Sequence, residues 1–135
     1  MADWEDVQRG ALALPEVEEG SSYGSRAWSV RKKGFVWERP LRRGDLEALG
    51  AAAPDGPVLA ARVVDVGVKE ALIADNPEAF FTTPHFNGYP AVLIRLDRIS
   101  VAELDEVIVD AWLARAPKRL ATQYLADHER SSSQE

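Results

Sequence analysis

Two short runs in the first third of the chain constrain its fold more than any other feature. Trp28 and Val30 alternate with Ser29 and Arg31; after Lys33-Gly34, Phe35 and Trp37 alternate with Val36 and Glu38. A period of two is the pattern of a half-buried strand, and Gly34 supplies the positive φ of a tight hairpin turn. A two-residue loop pairs Val30 with Trp37, and a four-residue loop pairs Trp28 with Trp37. Either keeps Trp28, Val30, Phe35 and Trp37 on one face, whereas a three-residue loop splits them. The aromatic face is therefore expected in the core, with basic residues at the tip and beyond the second strand.

Those basic residues are the second unusual feature. Residues 26–43 hold seven of the sixteen Lys and Arg and one acid, Glu38, in a chain whose formal net charge is −6. The rest of the chain therefore carries −12. An acidic average opposes contact with nucleic acid, but the potential that matters decays over about 8–10 Å at moderate salt. A segregated basic segment can still act locally.

The remaining sequence supplies helices and further strands. Asp3 is placed to cap a helix with Trp4, Val7, Ala11 and Leu14 on one stripe, ending before Pro15. Residues 16–23 read as a loop or short edge strand, residues 44–50 as a short helical turn, and residues 51–57 as a Pro/Gly loop. Val58 to Asp65 is rich in β-branched residues and reads as a strand, followed by a helix over 68–75. Asn76-Pro77-Glu78 predicts the start of another short helix. Ala91 to Leu96 is the clearest strand. Ser100-Val-Ala-Glu103 is a capping box that opens a helix with Val101, Leu104, Val107, Ile108, Ala111 and Trp112 inward. Pro117 begins a last helix with Leu120, Tyr124 and Leu125 inward. Strands interspersed with helices without βαβ alternation predict an α+β domain, two-layered, with helices on one face of an antiparallel sheet.

Length and composition set limits. The chain has 135 residues, the size of one domain, and 46% hydrophobic and 28% charged residues, ordinary for a soluble protein. Residues 1–130 are expected to form that domain, with a disordered tail over 131–135. Cysteine is absent, which excludes disulfides and fits the cytoplasm. The acidic Met1-Ala-Asp-Trp-Glu-Asp6 is not a signal peptide, and no stretch approaches the roughly twenty apolar residues of a membrane helix.

Three separated stretches are similar to a known family. Leu14-Pro-Glu-Val-Glu-Glu-Gly-Ser-Ser-Tyr-Gly24 with Val30-Arg-Lys-Lys-Gly-Phe35 resembles the opening of the MmcQ/YjbR-like proteins. Phe80 to Leu96 resembles their central signature, and Asp110-Ala-Trp-Leu-Ala-Arg-Ala-Pro-Lys-Arg-Leu120 their C-terminal one. The resemblance runs from about Val7 to Tyr124. It implies a frataxin/CyaY-like α+β fold and a DNA-binding role with a "double-wing" motif.

Arg31, Lys32 and Lys33 at a hairpin tip, with Arg39, Arg42 and Arg43 nearby, could contact phosphates; the alternative is a solvated turn whose charges protect an edge strand. Lys118 and Arg119 sit in the first turn of the last helix, the wrong end for cations. They need either a carboxylate from Glu16 to Glu19 or a bound phosphate. His85 is expected to bond to backbone and hold a corner, because no nucleophile elbow or triad accompanies it. His85 and His128 are far apart and there is no cysteine, so no metal site is expected. Asp3, Glu5 and Asp6, the acids to which a frataxin-like fold draws attention, are expected at a helix start for stability alone. No phosphate-binding glycine motif is present, and no cofactor is expected.

The leading expectation is a non-enzymatic, monomeric domain that binds DNA weakly, without strong sequence preference, through a basic β-hairpin wing. The alternative is a domain that binds a protein or small ligand through its acidic surface.

Overall fold

The first helix, α1 (Trp4–Leu12), starts where Asp3 accepts from the Asp6 N–H while the Asp6 carboxylate accepts from the Asp3 N–H, both at 3.0 Å. That reciprocal cap satisfies two donors that a helix start leaves free. The computed structural model of the chain describes residues 2–22, 24–54 and 56–133. After α1 come β1 (Val17–Ser22), β2 (Ser25–Val30), β3 (Lys33–Glu38), α2 (Arg43–Leu49), β4 (Val58–Arg62), α3 (Val66–Asp75), β5 (Phe80–Phe81), β6 (Ala91–Arg95), α4 (Val101–Arg115) and α5 (Lys118–Ser133). Short 3-10 turns cover Gly50–Ala52, Pro84–Phe86 and Leu96–Arg98.

The six strands form one antiparallel sheet in the order β1-β2-β3-β4-β6-β5. Helices α1 and α4 pack on one face. The main core there joins Trp28, Val30 and Phe35 to Leu59, Val92, Ile94, Leu104, Ile108 and Trp112. Both buried tryptophans keep their indole N–H bonded, Trp28 to Glu19 Oε1 at 2.8 Å and Trp112 to the Pro15 carbonyl at 3.1 Å. The α+β class and the antiparallel sheet are as the sequence predicts. A smaller apolar cluster of Val58, Ala60, Phe81, Phe86, Ala91 and Leu93 lies on the opposite face. Leu49 of α2, Leu41 and the turn at Phe86 close part of it.

The hairpin departs from the expected register. Val30 pairs with Lys33, so the loop is Arg31-Lys32, and Trp28 pairs with Val36 across an irregularity between Trp28 and Ser29. That bulge inserts Phe35 as an extra residue on β3. Phe35 and Val36 are then both buried in the main core, while Trp37 packs against the cluster on the other face. Trp37 is thus a correction to the shared aromatic face. Gly34 is not at positive φ; Arg31 and Lys32 are, at 49° and 69°.

Other elements differ more locally. Within residues 16–23, Val17–Ser22 form an edge strand, β1, one of the two expected readings; Tyr23 lies outside the described residues. Asn76 ends α3, and a turn rather than a helix follows it. Ser100 caps α4 by accepting from the Glu103 N–H, but the Glu103 carboxylate faces Asn76 Nδ2 instead of closing the box. Leu125 is half exposed rather than inward. Where the sequence predicts a disordered tail, α5 continues through Ser133; Gln134 and Glu135 lie outside the described residues.

Candidate nucleic-acid interface

A two-residue hairpin loop whose central residues both have positive φ is a type I′ turn, which follows the right-handed twist of the flanking strands. Such turns favour Asn-Gly; here the positions are Arg31 and Lys32. Arg31 is held by Glu16, Nε to Oε1 at 2.8 Å and Nη2 to Oε2 at 3.0 Å, and this pairing holds the Glu16 carboxyl below its ordinary value. Lys32 and Lys33 are exposed, and among the described residues neither has an ion-pair partner.

The eight basic candidates do not gather at one place. Strands rise about 3.3 Å per residue, so Glu38 at the far end of β3 is about 17 Å from Lys33. Arg39 lies beyond it and is mostly buried: its guanidinium donates to Asp45 at 3.1 Å and to the Pro40 carbonyl at 2.6 Å, and sits 5.4 Å from the Phe86 ring centroid. Arg39 is therefore engaged by partners within the fold. Arg43 pairs with Glu47 on the surface of α2 at 3.3 Å, and Arg42 is exposed.

Lys118 and Arg119 open α5 and are exposed, and among the described residues no carboxylate pairs with them. Of the expected partners, Glu16 is occupied by Arg31 and Glu19 by Trp28 and Gln8, and Glu18 pairs with neither cation. Trp112 near the end of α4 bonds to Pro15, which adjoins Glu16, which holds Arg31. Tyr124 packs back on Trp112 with ring centroids 5.1 Å apart, so α5 folds back along α4 and its start lies at the turn between them. The hairpin tip and the start of α5 thus belong to the same end of the molecule.

A cleft occupies the sheet face turned away from α1 and α4. It has a volume of roughly 500 Å³ and lies between Trp37, Pro40 and Arg42 on one side and His85, Phe86 and Tyr89 on the other. His85 does not hold a corner through backbone: it is exposed, with its ring edge-on to Phe86 at 5.2 Å, and forms no hydrogen bond among the described residues. Buried Lys69 anchors the loop that carries His85, its ammonium donating to the carbonyls of Phe86 at 2.6 Å and Tyr89 at 3.2 Å. Burial pushes the Lys69 pKa down. Arg62 donates to the Tyr89 hydroxyl at 2.6 Å and lies 4.9 Å from its ring centroid. Among the described residues no group of three or more His, Asp or Glu is arranged to hold a metal ion.

Comparison with known proteins agrees with this architecture. The YjbR family model matches residues 12–114. The chain belongs to the YjbR family. It is 50% identical over 130 residues to uncharacterized protein Rv2570 of Mycobacterium tuberculosis and to uncharacterized protein Mb2600 of Mycobacterium bovis, covering 94% of this chain and 98% of each relative. The crystal structure of Deinococcus radiodurans protein DR2400, a DUF419 domain, superposes with a TM-score of 0.63 at 18% identity, over 84% of this chain and 78% of that one. That likeness shows the fold. The YjbR match contains the hairpin and the whole cleft; Lys118 and Arg119 lie beyond it.

Four residues of this YjbR chain escaped the sequence reading: Asp45, Arg62, Lys69 and Tyr89. No pattern marks Lys69. Helix α3 carries apolar residues around much of its circumference, and a lysine there reads as solvent-facing. Arg62 ends a strand and reads as a surface residue, yet β4 turns it to the same face as Val58 and Ala60. No helix among the described residues is long and apolar enough to cross a membrane.

Proposed function

We propose that this YjbR-family protein is a non-catalytic domain that contacts nucleic acid through its phosphates, weakly and without strong sequence preference. The observation that carries the reading is the composition of the hairpin turn. Arg31 and Lys32 occupy left-handed backbone, which costs an L-residue with a Cβ roughly 1–2 kcal/mol and costs glycine nothing. Positive charge is retained where backbone energetics favour Asn-Gly. Protection of a sheet edge does not account for it, because β2 and β3 are interior strands and the edges are β1 and β5. Lys118 and Arg119 add two cations at the same end of the molecule.

The test is titration of labelled duplex DNA at two salt concentrations, wild type against a variant with Arg31, Lys32 and Lys33 changed to Ser. The variant should bind all sequences more weakly, and each lost phosphate contact should flatten the log–log salt slope by about 0.9. No binding by wild type at about 50 mM salt, where electrostatic contacts are strong, would remove the reading.

A further inference from the structure

The cleft lies at the other end of the hairpin from its basic tip. Its volume of roughly 500 Å³ falls within the range of small-molecule sites, about 300–1,000 Å³. A smaller hollow of roughly 350 Å³ continues past Arg42 and His85 toward Pro84. Trp37, Tyr89 and His85 contribute partly or fully exposed rings to the walls. Flat rings with one free face suit stacking against another flat ring.

Of the cations around the cleft, Arg39 is neutralised by Asp45. The Glu38 carboxylate accepts the Arg26 N–H at 3.2 Å, a bond from a neutral group, and has no ion-pair partner among the described residues. The Arg26 guanidinium is turned to the helix side, 5.3 Å from the Trp4 ring centroid. Arg42 remains: its backbone N–H donates to the Asp45 carboxylate at 2.9 Å, while its side chain is exposed at the cleft and has no ion-pair partner among the described residues. One free cation beside aromatic walls matches one anionic group on a ring, and a polyanion would need more.

The walls are also tied down by buried or partly buried cations. Lys69 fixes two carbonyls of the loop, Arg62 fixes both the ring and the hydroxyl of Tyr89, and Arg39 ties Phe86 to α2 through Asp45. Buried cations are poor sources of stability, since an apolar residue of similar volume would pack at less cost. What they supply is fixed geometry, the requirement of a preorganised site.

From the cleft's shape, its rings and the exposed Arg42, we infer that it binds a small planar aromatic molecule bearing one anionic group, of about nucleotide size. This site is distinct from the phosphate contacts at the hairpin tip. The same ring-plus-anion chemistry also occurs in one nucleotide of a single strand, so the experiment separates the two sources.

The probes are adenosine monophosphate, adenosine, inorganic phosphate and a short adenine single strand, each titrated into the full chain and followed by NMR at the Trp37 indole N–H and the amides of His85 and Tyr89. Adenosine monophosphate should give saturable shifts there, and adenosine and phosphate alone should each bind at least about tenfold more weakly. Arg42→Ser should weaken the monophosphate about tenfold and bring it near adenosine, with an unchanged melting temperature because Arg42 is exposed. Trp37→Leu should weaken monophosphate and adenosine alike. The inference would be overturned by no saturable shift with any probe at about 10 mM, by shifts confined to Lys32 and Lys33, or by adenosine binding as tightly as its monophosphate. A single strand that binds more than about tenfold tighter than the monophosphate would also overturn it, by making the cleft part of a nucleic-acid surface.

Discussion

Arg31 and Glu16 meet in two parallel hydrogen bonds, 2.8 and 3.0 Å long, and both residues sit on left-handed backbone, at φ 49° and 56°. The pair masks one cation of the proposed phosphate surface. Arg31 holds Glu16 below its ordinary pKa of 4.5, so the pair is intact at neutral pH and opens only as pH falls below that value. Glu16→Gln should therefore release Arg31 at neutral pH. Duplex affinity should rise at low salt and the salt slope should steepen by up to about 0.9. Unchanged affinity in a DNA titration would show that Arg31 does not face the phosphates.

Asp45 serves two partners at once, the Arg39 guanidinium at 3.1 Å and the Arg42 N–H at 2.9 Å. With side chains only 11% and 6% exposed, the Arg39–Asp45 pair is screened little by water. Asp45→Ala leaves a mostly buried guanidinium without its carboxylate and should destabilise by about 3 kcal/mol in urea unfolding. Joint replacement by Arg39→Met and Asp45→Leu should recover most of that loss, because no unpaired charge then remains. A double variant as unstable as Asp45→Ala would locate the loss in the capping of α2 instead.

Much of the fold was legible in local chemistry. Asp3 and Ser100 are helix caps with an oxygen in reach of a free N–H, and the inward stripe of α4 follows helical spacing. The hairpin was legible as a hairpin but not in its register. Gly34 was the residue best able to take positive φ, yet the turn formed at Arg31-Lys32 and a bulge at Phe35 sent Trp37 to the other face. Local rules place the strain on glycine; the packing of Phe35 and Val36 into one core overrode them. The basic candidates were legible as residues but not as a surface, because sequence cannot show that Arg39 is turned inward onto Asp45. The cleft was invisible, since its walls come from β3, the approach to α2 and a loop some fifty residues later.

Lys69 allows a test of burial against hydrogen bonding. Its two carbonyl partners already accept backbone N–H groups, Phe86 from Tyr89 and Tyr89 from Ala91. Lys69→Met would leave neither orphaned. A buried ammonium with a pKa below the ordinary 10.5 costs stability below its folded pKa, and that cost fades as pH rises toward 10.5, where the unfolded chain also loses its proton. The Met variant should therefore match or exceed wild type by about 1 kcal/mol at neutral pH, with the advantage shrinking in alkali. Urea midpoints at neutral pH and at about pH 10 measure this. A loss above about 2 kcal/mol at neutral pH would mean that the two bonds outweigh the desolvation of the ammonium.

The turn itself offers the sharpest separation of stability from binding. Lys32 has φ 69°, a conformation that glycine takes without strain. Lys32→Gly should relieve roughly 1–2 kcal/mol of backbone strain and lose about 0.5–1 kcal/mol to the greater freedom of the unfolded chain. The net gain, up to about 1.5 kcal/mol, should appear as a higher urea midpoint at unchanged m-value. The same substitution removes an exposed cation from the tip, so duplex affinity should fall and the salt slope should flatten by about 0.9. A variant that is more stable yet binds less is the expected signature of a turn kept basic for contact rather than for folding. A variant that gains stability with its DNA titration unchanged at both salt concentrations would detach the turn's charge from nucleic-acid binding.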